Sequence, residues 1–267
     1  MMQFIRHYLL ALQFFTRVPV TGRLAAWVGY SPEMLRRSAA HFPGVGWLVG
    51  GLAASLYALL VQALADAAYA PLVLAVLVTV FTVLLTGAFH EDGLSDLADG
   101  LGGSHDRERA LDIMKDSRIG AFGALALVLA LLLKVALLAL LGAADPALAC
   151  GALFFAHVLS RFTPLWLIRL LPHVGDTARS KSKPLADQIS IAGLAVAALW
   201  ALVGTALVVW WLPEARLWIG GGLAALLAWL WMWRLQARRL QGYTGDGLGA
   251  TQQVCELAIY LGLALSL

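Results

Sequence analysis

Residues 119–142 read IGAFGALALVLALLLKVALLALLG, an unbroken apolar run that contains one charged residue, Lys134. A helix needs about 20 mostly apolar residues to cross the hydrocarbon core of a bilayer, and this run is long enough. Similar runs recur along the chain, in which 61% of the residues are hydrophobic and only 13% are charged. The sequence therefore predicts a helical membrane protein.

The composition argues against several other classes of protein. Soluble domains are about 45–50% apolar and about 25% charged, so this chain has too few charges for a fold that water surrounds. Its apolar runs are continuous, whereas the strands of a membrane β-barrel alternate apolar and polar residues. The two cysteines, Cys150 and Cys255, lie far apart in apolar runs, which indicates neither a disulfide framework nor a zinc site. The modest net charge of +3 predicts no nucleic-acid partner.

Seven segments are long and apolar enough to span a membrane. They run over 44–65, 71–89, 119–142, 147–171, 189–212, 215–235 and 248–267. Tight turns at Asp145-Pro146 and Pro213-Glu214 predict helical hairpins, and a short link around Asp66 joins the first two spans. Residues 4–15 are too short to span, so we expect them to lie along the interface or to re-enter the membrane. We therefore predict an all-α, polytopic helical bundle that forms a single transmembrane domain over residues 1–267.

The basic residues sort to one side of this topology. Most of the 19 Lys and Arg residues lie in the first 43 residues, between spans two and three, between spans four and five, or at the end of span six. The members of these groups are Arg6, Arg17, Arg23, Arg36, Arg37, Arg107, Arg109, Lys115, Arg118, Arg179, Lys181, Lys183, Arg234, Arg238 and Arg239. The positive-inside rule places this side in the cytoplasm and the C-terminus outside.

Half of the 16 acidic residues fall within residues 90–118. They are Glu91, Asp92, Asp96, Asp99, Asp106, Glu108, Asp112 and Asp116. Asp92, Asp96 and Asp99 are spaced i, i+4, i+7, so on a helix they share one face. Three carboxylates so close repel one another unless a cation neutralises them, and hard oxygen ligands favour Mg²⁺. The pattern predicts a magnesium site.

This stretch has two other interpretations. A solvated acidic face would need no ligand, but the intervening apolar residues, such as Leu94 and Leu97, indicate a partly buried helix. The spacing also resembles half of the Asp-rich signature of CDP-alcohol phosphotransferases. Asp96-x-x-Asp99 matches its start and Asp112-x-x-x-Asp116 its end, whereas the Ala-Arg dipeptide between them is missing and the interval differs.

Cations and a hydroxyl follow the acidic stretch, just before span three. Lys115, Ser117 and Arg118 precede Gly120 and Gly123, which open that span. A helix start with free N–H groups beside Lys and Arg receives phosphate oxygens. The alternative is that Lys115 and Arg118 only anchor a helix end at the lipid headgroups. The nearby carboxylates favour phosphate binding over headgroup anchoring, because phosphoryl transfer uses acidic metal ligands together with basic residues that hold the phosphate.

Isolated polar residues in apolar runs are further candidates, since an ionisable residue in a membrane is a functional hypothesis by default. Asp246, in the glycine-rich segment 242–250, is expected level with the first acidic cluster, although its glycines also suit helix packing. Arg161 lies mid-span and is expected to bind a phosphate or a carboxylate such as Glu256. Lys134 is expected to snorkel to the interface, and His90 to act as a base or to orient a carboxylate.

Five separated stretches, in order along the chain, together resemble the cobalamin synthase family of adenosylcobinamide-GDP ribazoletransferases. They are FFTRVP at 14–19, PGVG at 43–46, HEDGLSDLADG at 90–100, IMKDSRIG at 113–120 and YTGDGLGA at 243–250. The resemblance implies a Mg²⁺-dependent, multi-pass enzyme of the bacterial inner membrane with its active site facing the cytoplasm. It implies that adenosylcobinamide-GDP and α-ribazole, or its 5′-phosphate, react to give adenosylcobalamin, or its 5′-phosphate, and GMP.

With this reaction in view, roles can be assigned to the candidate residues. The predicted metal ligands are Asp92, Asp96, Asp99 and Asp116; the predicted catalytic residues are Asp92, His90, Lys115 and Arg118; and the predicted cofactor- and substrate-binding residues are Lys115, Ser117, Arg118, Arg161 and Asp246. The expected partners are the two substrates and membrane lipid, and a homo-oligomer stays open. Two other functions also stay open: a CDP-alcohol phosphotransferase of phospholipid synthesis, and a divalent-cation transporter, which would hold its ligands near mid-membrane in broken helices.

Overall fold

The computed structural model describes residues 2–64, 67–175 and 188–267, and these residues are almost entirely helical. The helices are α1 (Met2–Phe15), α2 (Gly22–Val28), α3 (Pro32–Ser38), α4 (Phe42–Leu64), α5 (Ala70–Thr86), α6 (Phe89–Gly103), α7 (Arg107–Met114), α8 (Ala121–Ala144), α9 (Pro146–Leu170), α10 (Ile191–Trp211), α11 (Ala215–Arg239) and α12 (Gly245–Ala264), with a 3₁₀ turn at Ala39–His41. The predicted all-α class is confirmed. Asp66, Arg179, Lys181 and Lys183, used above for topology, lie outside the described residues.

A long helix lies at each of the seven predicted spans, and several are long and apolar enough to cross a membrane. Five continuous helical segments of the described residues qualify: Pro32–Leu64, α8, α9, α10 and α11. The pair α5 and α6 makes a sixth candidate, bent by 89°. The count differs from seven because α5 has only 17 residues, and because α12 carries polar residues along its buried face. The protein is a polytopic helical membrane protein.

Helix α9 forms the centre of the bundle. In α9, 83% of the most apolar stretch is buried, against 22% in α8 and 28% in α10 and in α11. Exposed leucines, such as Leu129 on α8 and Leu202 on α10, therefore cover the outside of the bundle. A helix that is apolar all round and exposed suits lipid, whereas α9 packs its small residues against its neighbours.

Helices α4 and α9 pack closely together, and glycines make this contact. A side-chain carbon added at Gly46 would collide with the backbone carbonyl of His157, and one added at Gly50 would lie 2.9 Å from the Phe154 Cα. Small residues let helix backbones approach closely in a membrane. The glycine-rich start of α4 is thus a packing surface for the central helix.

We predict that Gly46→Ala destabilises the protein and that Gly51→Ala, on the same helix, does not. The methyl group at position 46 would overpack a backbone contact, which costs about 1–3 kcal/mol. Nothing lies within 4 Å of the corresponding carbon at Gly51, where alanine should gain up to about 1 kcal/mol from its better helix propensity. Thermal unfolding of the detergent-solubilised proteins measures both. Equal melting temperatures for the two variants would contradict this packing.

Two left-handed residues separate α5 from α6. Gly87 has φ +66° and Ala88 has φ +57°; glycine adopts this conformation freely, while alanine pays roughly 1–2 kcal/mol. The Arg17 side chain packs on Gly87, and the Arg17 N–H donates to the Leu85 carbonyl at 2.7 Å. With 15 residues, α6 is about 22 Å long, too short to cross the roughly 30 Å hydrocarbon core. The bend therefore sets the acidic helix apart from the spans.

Three inter-element contacts gather the loops around α6 at one end of the bundle. Arg107 Nε donates to the Leu240 carbonyl at 2.7 Å. Arg239 Nη2 donates to the carbonyls of Leu101 and Ser104 at 3.1 and 2.7 Å. The Val174 N–H, after α9, donates to the Tyr243 carbonyl at 2.9 Å. The basic groups beside α7 and at the end of α11 thus lie together, as the predicted topology requires.

Candidate active site

The acidic residues of α6 occupy different environments along the helix. Asp92 is exposed, Asp96 is half-buried and Asp99 is buried. The predicted helix over these residues is confirmed, because all three lie within Phe89–Gly103. The exposed carboxylate of Asp92 is accessible to a ligand, whereas the deeper ones meet other parts of the chain.

Asp99 binds the start of α8. Its Oδ2 accepts a hydrogen bond from the Gly120 N–H at 2.7 Å, and its Oδ1 accepts one from the Gly123 N–H, also at 2.7 Å. The first N–H groups of a helix have no partner within the helix, and a carboxylate there also meets the positive end of the helix dipole. Side-chain carbons at Gly120 or Gly123 would collide with this carboxylate. The glycine N–H groups that were expected to bind a phosphate therefore bind the carboxylate of Asp99. The role of Asp99 as a metal ligand stays a prediction.

Asp246 joins the acidic residues of α6. It lies in the first turn of α12, and a side-chain carbon at Gly93 of α6 would lie 2.8 Å from the Asp246 carbonyl oxygen. Burial raises the pKa of Asp96 to about 7, helped by the nearby carboxylates of Asp246, Asp92 and Asp99. Asp92, Asp96 and Asp246, which we name the acidic cluster, thus repel one another.

Magnesium suits the donors of the acidic cluster. Among the residues that the structure describes, no three His, Cys, Asp or Glu side chains are placed so that they could hold a metal ion by themselves. Mg²⁺ needs no such cage, because it keeps several waters and binds through one or two carboxylates plus substrate phosphates. A carboxyl whose pKa is raised by neighbouring carboxylates, as in Asp96, is in an environment that a divalent cation relieves. The residues present therefore fit this ion, with Asp246 beside the predicted Asp92 and Asp96.

The segment between α7 and α8 is exposed and carries the predicted phosphate-binding residues. Lys115, Ser117 and Arg118 are all exposed. Arg118 Nη2 lies 2.6 Å from Asp116 Oδ2, and the hydrogen bonds from Arg118 lower the pKa of Asp116 to about 2. Asp116 thus pairs with a cation of its own segment. Lys115 Nζ lies 3.4 Å from an exposed carboxylate of Asp112, so both cations keep contact with water.

A buried ion pair lies inside the bundle. Lys134 Nζ of α8 is 2.6 Å from Glu256 Oε1 of α12, and the side chains are 2% and 1% exposed. The expectation that Lys134 snorkels to the interface is therefore wrong, because the carboxylate of Glu256 compensates the charge within the protein. Tyr260 Oη also donates to Glu256 Oε1, at 3.2 Å, and Gln252 Nε2 donates to Oε2 at 2.7 Å.

Sequence reasoning missed the amide residues that extend this network. Gln252 Nε2 also donates to Ser160 Oγ at 2.9 Å, and Gln253 Nε2 donates to Glu91 Oε1 at 3.2 Å. Two adjacent glutamines in an otherwise apolar helix are the signal that could have identified them, since polar side chains in a membrane need partners. The network links α6, α9 and α12.

Arg161 meets a histidine. Its Nη1 donates to His157 Nδ1 at 2.9 Å and to the His157 carbonyl at 3.1 Å, and His157 Nδ1 lies 3.6 Å from Glu256 Oε2. The expected neighbourhood of Arg161 and Glu256 thus exists through His157. The Arg161 side chain is 4% exposed, and among the described residues its buried Nε has no hydrogen-bond partner.

A cavity with aromatic walls lies beside the acidic cluster. Its empty space is about 470 Å³, a figure that includes the open solvent at its mouth. Its aromatic wall consists of Phe14, Phe15, Phe42, Phe89 and His90, and Arg161, Leu248, Gly249 and Gln252 also line it. His90 is buried and stacks on Phe15, with ring centres 5.8 Å apart. Sequence reasoning grouped His90 with the carboxylates, and the structure places its ring in this wall.

Comparisons with known proteins agree over the length of the chain. The sequence profile of the cobalamin-5-phosphate synthase family matches residues 7–264. A protein of Polaromonas naphthalenivorans named adenosylcobinamide-GDP ribazoletransferase is 62% identical, with 100% of both chains covered. Proteins of the same name from Albidiferax ferrireducens and Shewanella piezotolerans are 62% and 42% identical; the first covers 100% of both chains, and the second covers 97% of this chain and 94% of its own. No solved structure matches this chain significantly.

Proposed function

The chain belongs to the cobalamin-5-phosphate synthase family, and we propose that it transfers the cobinamide phosphate of adenosylcobinamide-GDP to α-ribazole or its 5′-phosphate with the help of Mg²⁺. Membership of the family makes it a transferase enzyme of cobalamin biosynthesis. The observation that carries the magnesium proposal is the acidic cluster: the first turn of α12, which holds Asp246, packs on Gly93 of α6, the helix that carries Asp92 and Asp96.

The reaction exchanges one phosphorus–oxygen bond for another. A ribose hydroxyl oxygen of the acceptor attacks the phosphorus nearer cobinamide, the bond from that phosphorus to the oxygen bridging to GMP breaks, and GMP leaves. In α-ribazole 5′-phosphate the 5′ oxygen already carries phosphate. The attacking group common to both acceptors is therefore a secondary hydroxyl and not the 5′ one. Its proton passes to a base of the protein.

The acidic cluster would hold the metal, with Asp99 and Asp116 as the further ligands expected from the sequence. When bound, Mg²⁺ supplies positive charge against the diphosphate as negative charge moves onto the departing GMP. Asp92, exposed at the end of the bundle, can also accept the proton of the attacking hydroxyl, and His90 is the second candidate for this step.

Residues around the cluster would hold the substrate. Lys115 and Arg118 are exposed between α7 and α8, where they can clamp phosphate oxygens, and Ser117 can donate a hydrogen bond between them. Asp246, as a member of the acidic cluster, would bind the substrate through the metal that the cluster holds. Arg161 lies at the neighbouring cavity and would contact the acceptor.

We propose that this end of the bundle faces the cytoplasm of a bacterial inner membrane. The contacts of Arg107 and Arg239 bring two basic groups to the end that carries α6. The positive-inside rule assigns that end to the cytoplasm, where nucleotide substrates are made. Labelling of single cysteines introduced near Arg238 and near Arg216 in intact cells and in inverted vesicles tests the orientation.

We expect the purified protein to release GMP from adenosylcobinamide-GDP only when α-ribazole and Mg²⁺ are both present. Removal of divalent ions with EDTA should lower the rate at least about a hundredfold, since the diphosphate charge would lose its neutralisation, and added Mg²⁺ should restore it. Chromatography of GMP and of the corrinoid product measures the reaction.

The same assay separates the other candidate functions. CDP-diacylglycerol with an alcohol acceptor should give no product, and liposomes containing the protein should take up no Mg²⁺. Full activity in EDTA would contradict the metal proposal. Turnover of CDP-diacylglycerol instead of adenosylcobinamide-GDP would contradict the substrate assignment.

A further inference from the structure

We propose that a second cavity, which we name the basic cavity, binds the phosphate headgroup of an anionic phospholipid. It lies where α1, α3, the 3₁₀ turn, the end of α9 and the start of α10 meet. Arg36, Arg37 and Arg169 line it, and it has room for about 960 Å³, at the upper end of the range of small-molecule sites. The residues of the acidic cluster are not part of its lining, so it is separate from the candidate active site.

The arginines of the basic cavity outnumber its carboxylates. Among the described lining residues Glu33 is the only acidic one. Its carboxylate is shared, because Arg36 Nη2 lies 3.0 Å from Oε2 and Arg37 Nη2 lies 2.9 Å from Oε1. One carboxylate cannot balance two guanidinium groups, and exposed pairs of this kind are weak. The cavity therefore keeps positive charge that an anion can bind.

Arg169 is the third arginine of the basic cavity. It is exposed in the last turn of α9, and within the described part of the chain it makes no hydrogen bond and no ion pair. A guanidinium presents five donors in a rigid fork that matches two oxygens of a phosphate. Arg169 thus offers its donors to a ligand, beside two arginines that share one carboxylate.

The start of α10 adds to the positive potential of the basic cavity. Ala192 and Gly193 of its first turn line the cavity, and that turn holds no acidic residue. The dipole of a 21-residue helix favours an anion at this end. His7, another lining residue, responds to the same charges: burial lowers its pKa, and the guanidinium groups of Arg37 and Arg6 lower it further.

The surroundings of the basic cavity favour a lipid over a soluble anion. Helix α10 is a candidate membrane span, and Ile191 in its first turn is 73% exposed. Phe4, which lines the cavity from α1, is 44% exposed, and Ile189 and Val196 add further apolar lining. A phospholipid carries its phosphate next to its acyl chains, so it can pair with the arginines and cover this apolar rim together. Basic pockets between membrane helices are a recurrent site for anionic headgroups.

We expect Arg37→Gln combined with Arg169→Gln to weaken the binding of dioctanoylphosphatidylglycerol at least about tenfold. Each cation beside an anionic lipid contributes several-fold to the affinity, and the double variant lacks two of them. Both side chains are exposed, so the protein should fold normally, which thermal unfolding in detergent checks. Native mass spectrometry of the delipidated protein, titrated with the lipid, measures the binding.

Arg23→Gln is the matched control. Arg23 is exposed on α2 and does not line the basic cavity, so its loss should change the affinity less than about twofold. Dioctanoylphosphatidylcholine, a zwitterionic lipid with the same chains, should bind more weakly than phosphatidylglycerol and should not respond to the double variant. The KM for adenosylcobinamide-GDP should also stay within about twofold of wild type, because these arginines lie outside the candidate active site.

Three results would overturn the headgroup proposal. If the double variant binds phosphatidylglycerol as wild type does, or if both lipids bind alike, the arginines select no anionic headgroup. If GDP or inorganic phosphate binds more tightly than the lipid and loses affinity in the double variant, the cavity takes a soluble phosphate. If the KM for adenosylcobinamide-GDP rises about tenfold in the double variant, the cavity serves the substrate. Lipid binding is measured without turnover, so failure of the proposed transfer would leave this inference untouched.

Discussion

Asp92→Asn protein is expected to fold and insert normally but to turn over about a thousandfold more slowly than wild type. Asp92 is exposed, so the substitution removes no buried contact, and asparagine keeps the size of the side chain. It removes one charge from the acidic cluster, where a divalent ion would be held against the diphosphate. Loss of one electrostatic stabiliser costs about 10²–10³ in rate, and loss of a metal ligand that is also a candidate proton acceptor should lie at the upper end of that range.

Glu108→Gln provides the control for Asp92→Asn. Glu108 is another exposed carboxylate, in the first turn of α7, and its loss should change the rate less than twofold. GMP release gives the rates, and thermal unfolding in detergent shows that both variants are folded. A rate within tenfold of wild type for Asp92→Asn would remove this residue from the active site, whatever the behaviour of Glu108→Gln.

The positions of the helices were predictable because membrane helices depend mainly on local composition. Each helix must satisfy its own backbone hydrogen bonds in lipid, so a long apolar run becomes a helix with little influence from its neighbours. The run predicted at 71–89 ends as a helix at Thr86, because Gly87 and Ala88 are left-handed. Apolar Ala88 gives no local signal of that bend, at which Arg17 packs on Gly87.

The acidic site was only partly predictable for a related reason. Helical spacing correctly placed Asp92, Asp96 and Asp99 on α6, but it carries no information about what packs on each turn. Asp99 is bound to the start of α8, and Asp246 approaches from the other end of the chain. These are tertiary contacts between distant segments. The same limit applies to Lys134, which was expected to snorkel, because nothing near it in the sequence indicates that Glu256 of α12 lies beside it.

Lys134→Met is expected to destabilise the folded protein by about 3–5 kcal/mol, the cost of leaving one buried charge without its partner. Glu256 would keep its hydrogen bonds from Tyr260 and Gln252, but the ammonium 2.6 Å away would be gone. The expected result is a large loss of folded protein after extraction and a lower midpoint of thermal unfolding.

The double variant Lys134→Met with Glu256→Gln should recover most of that loss. A neutral amide of the same shape can accept the hydrogen bond from Tyr260, and replacing both members of a buried pair is often close to neutral. A strong positive coupling between the two positions, measured as a double-mutant cycle of unfolding midpoints, would therefore indicate that the pair stabilises the junction of α8 and α12 by mutual compensation. If the double variant were as unstable as the sum of the single ones, the two charges would act separately, and the network would have to be explained by its hydrogen bonds alone.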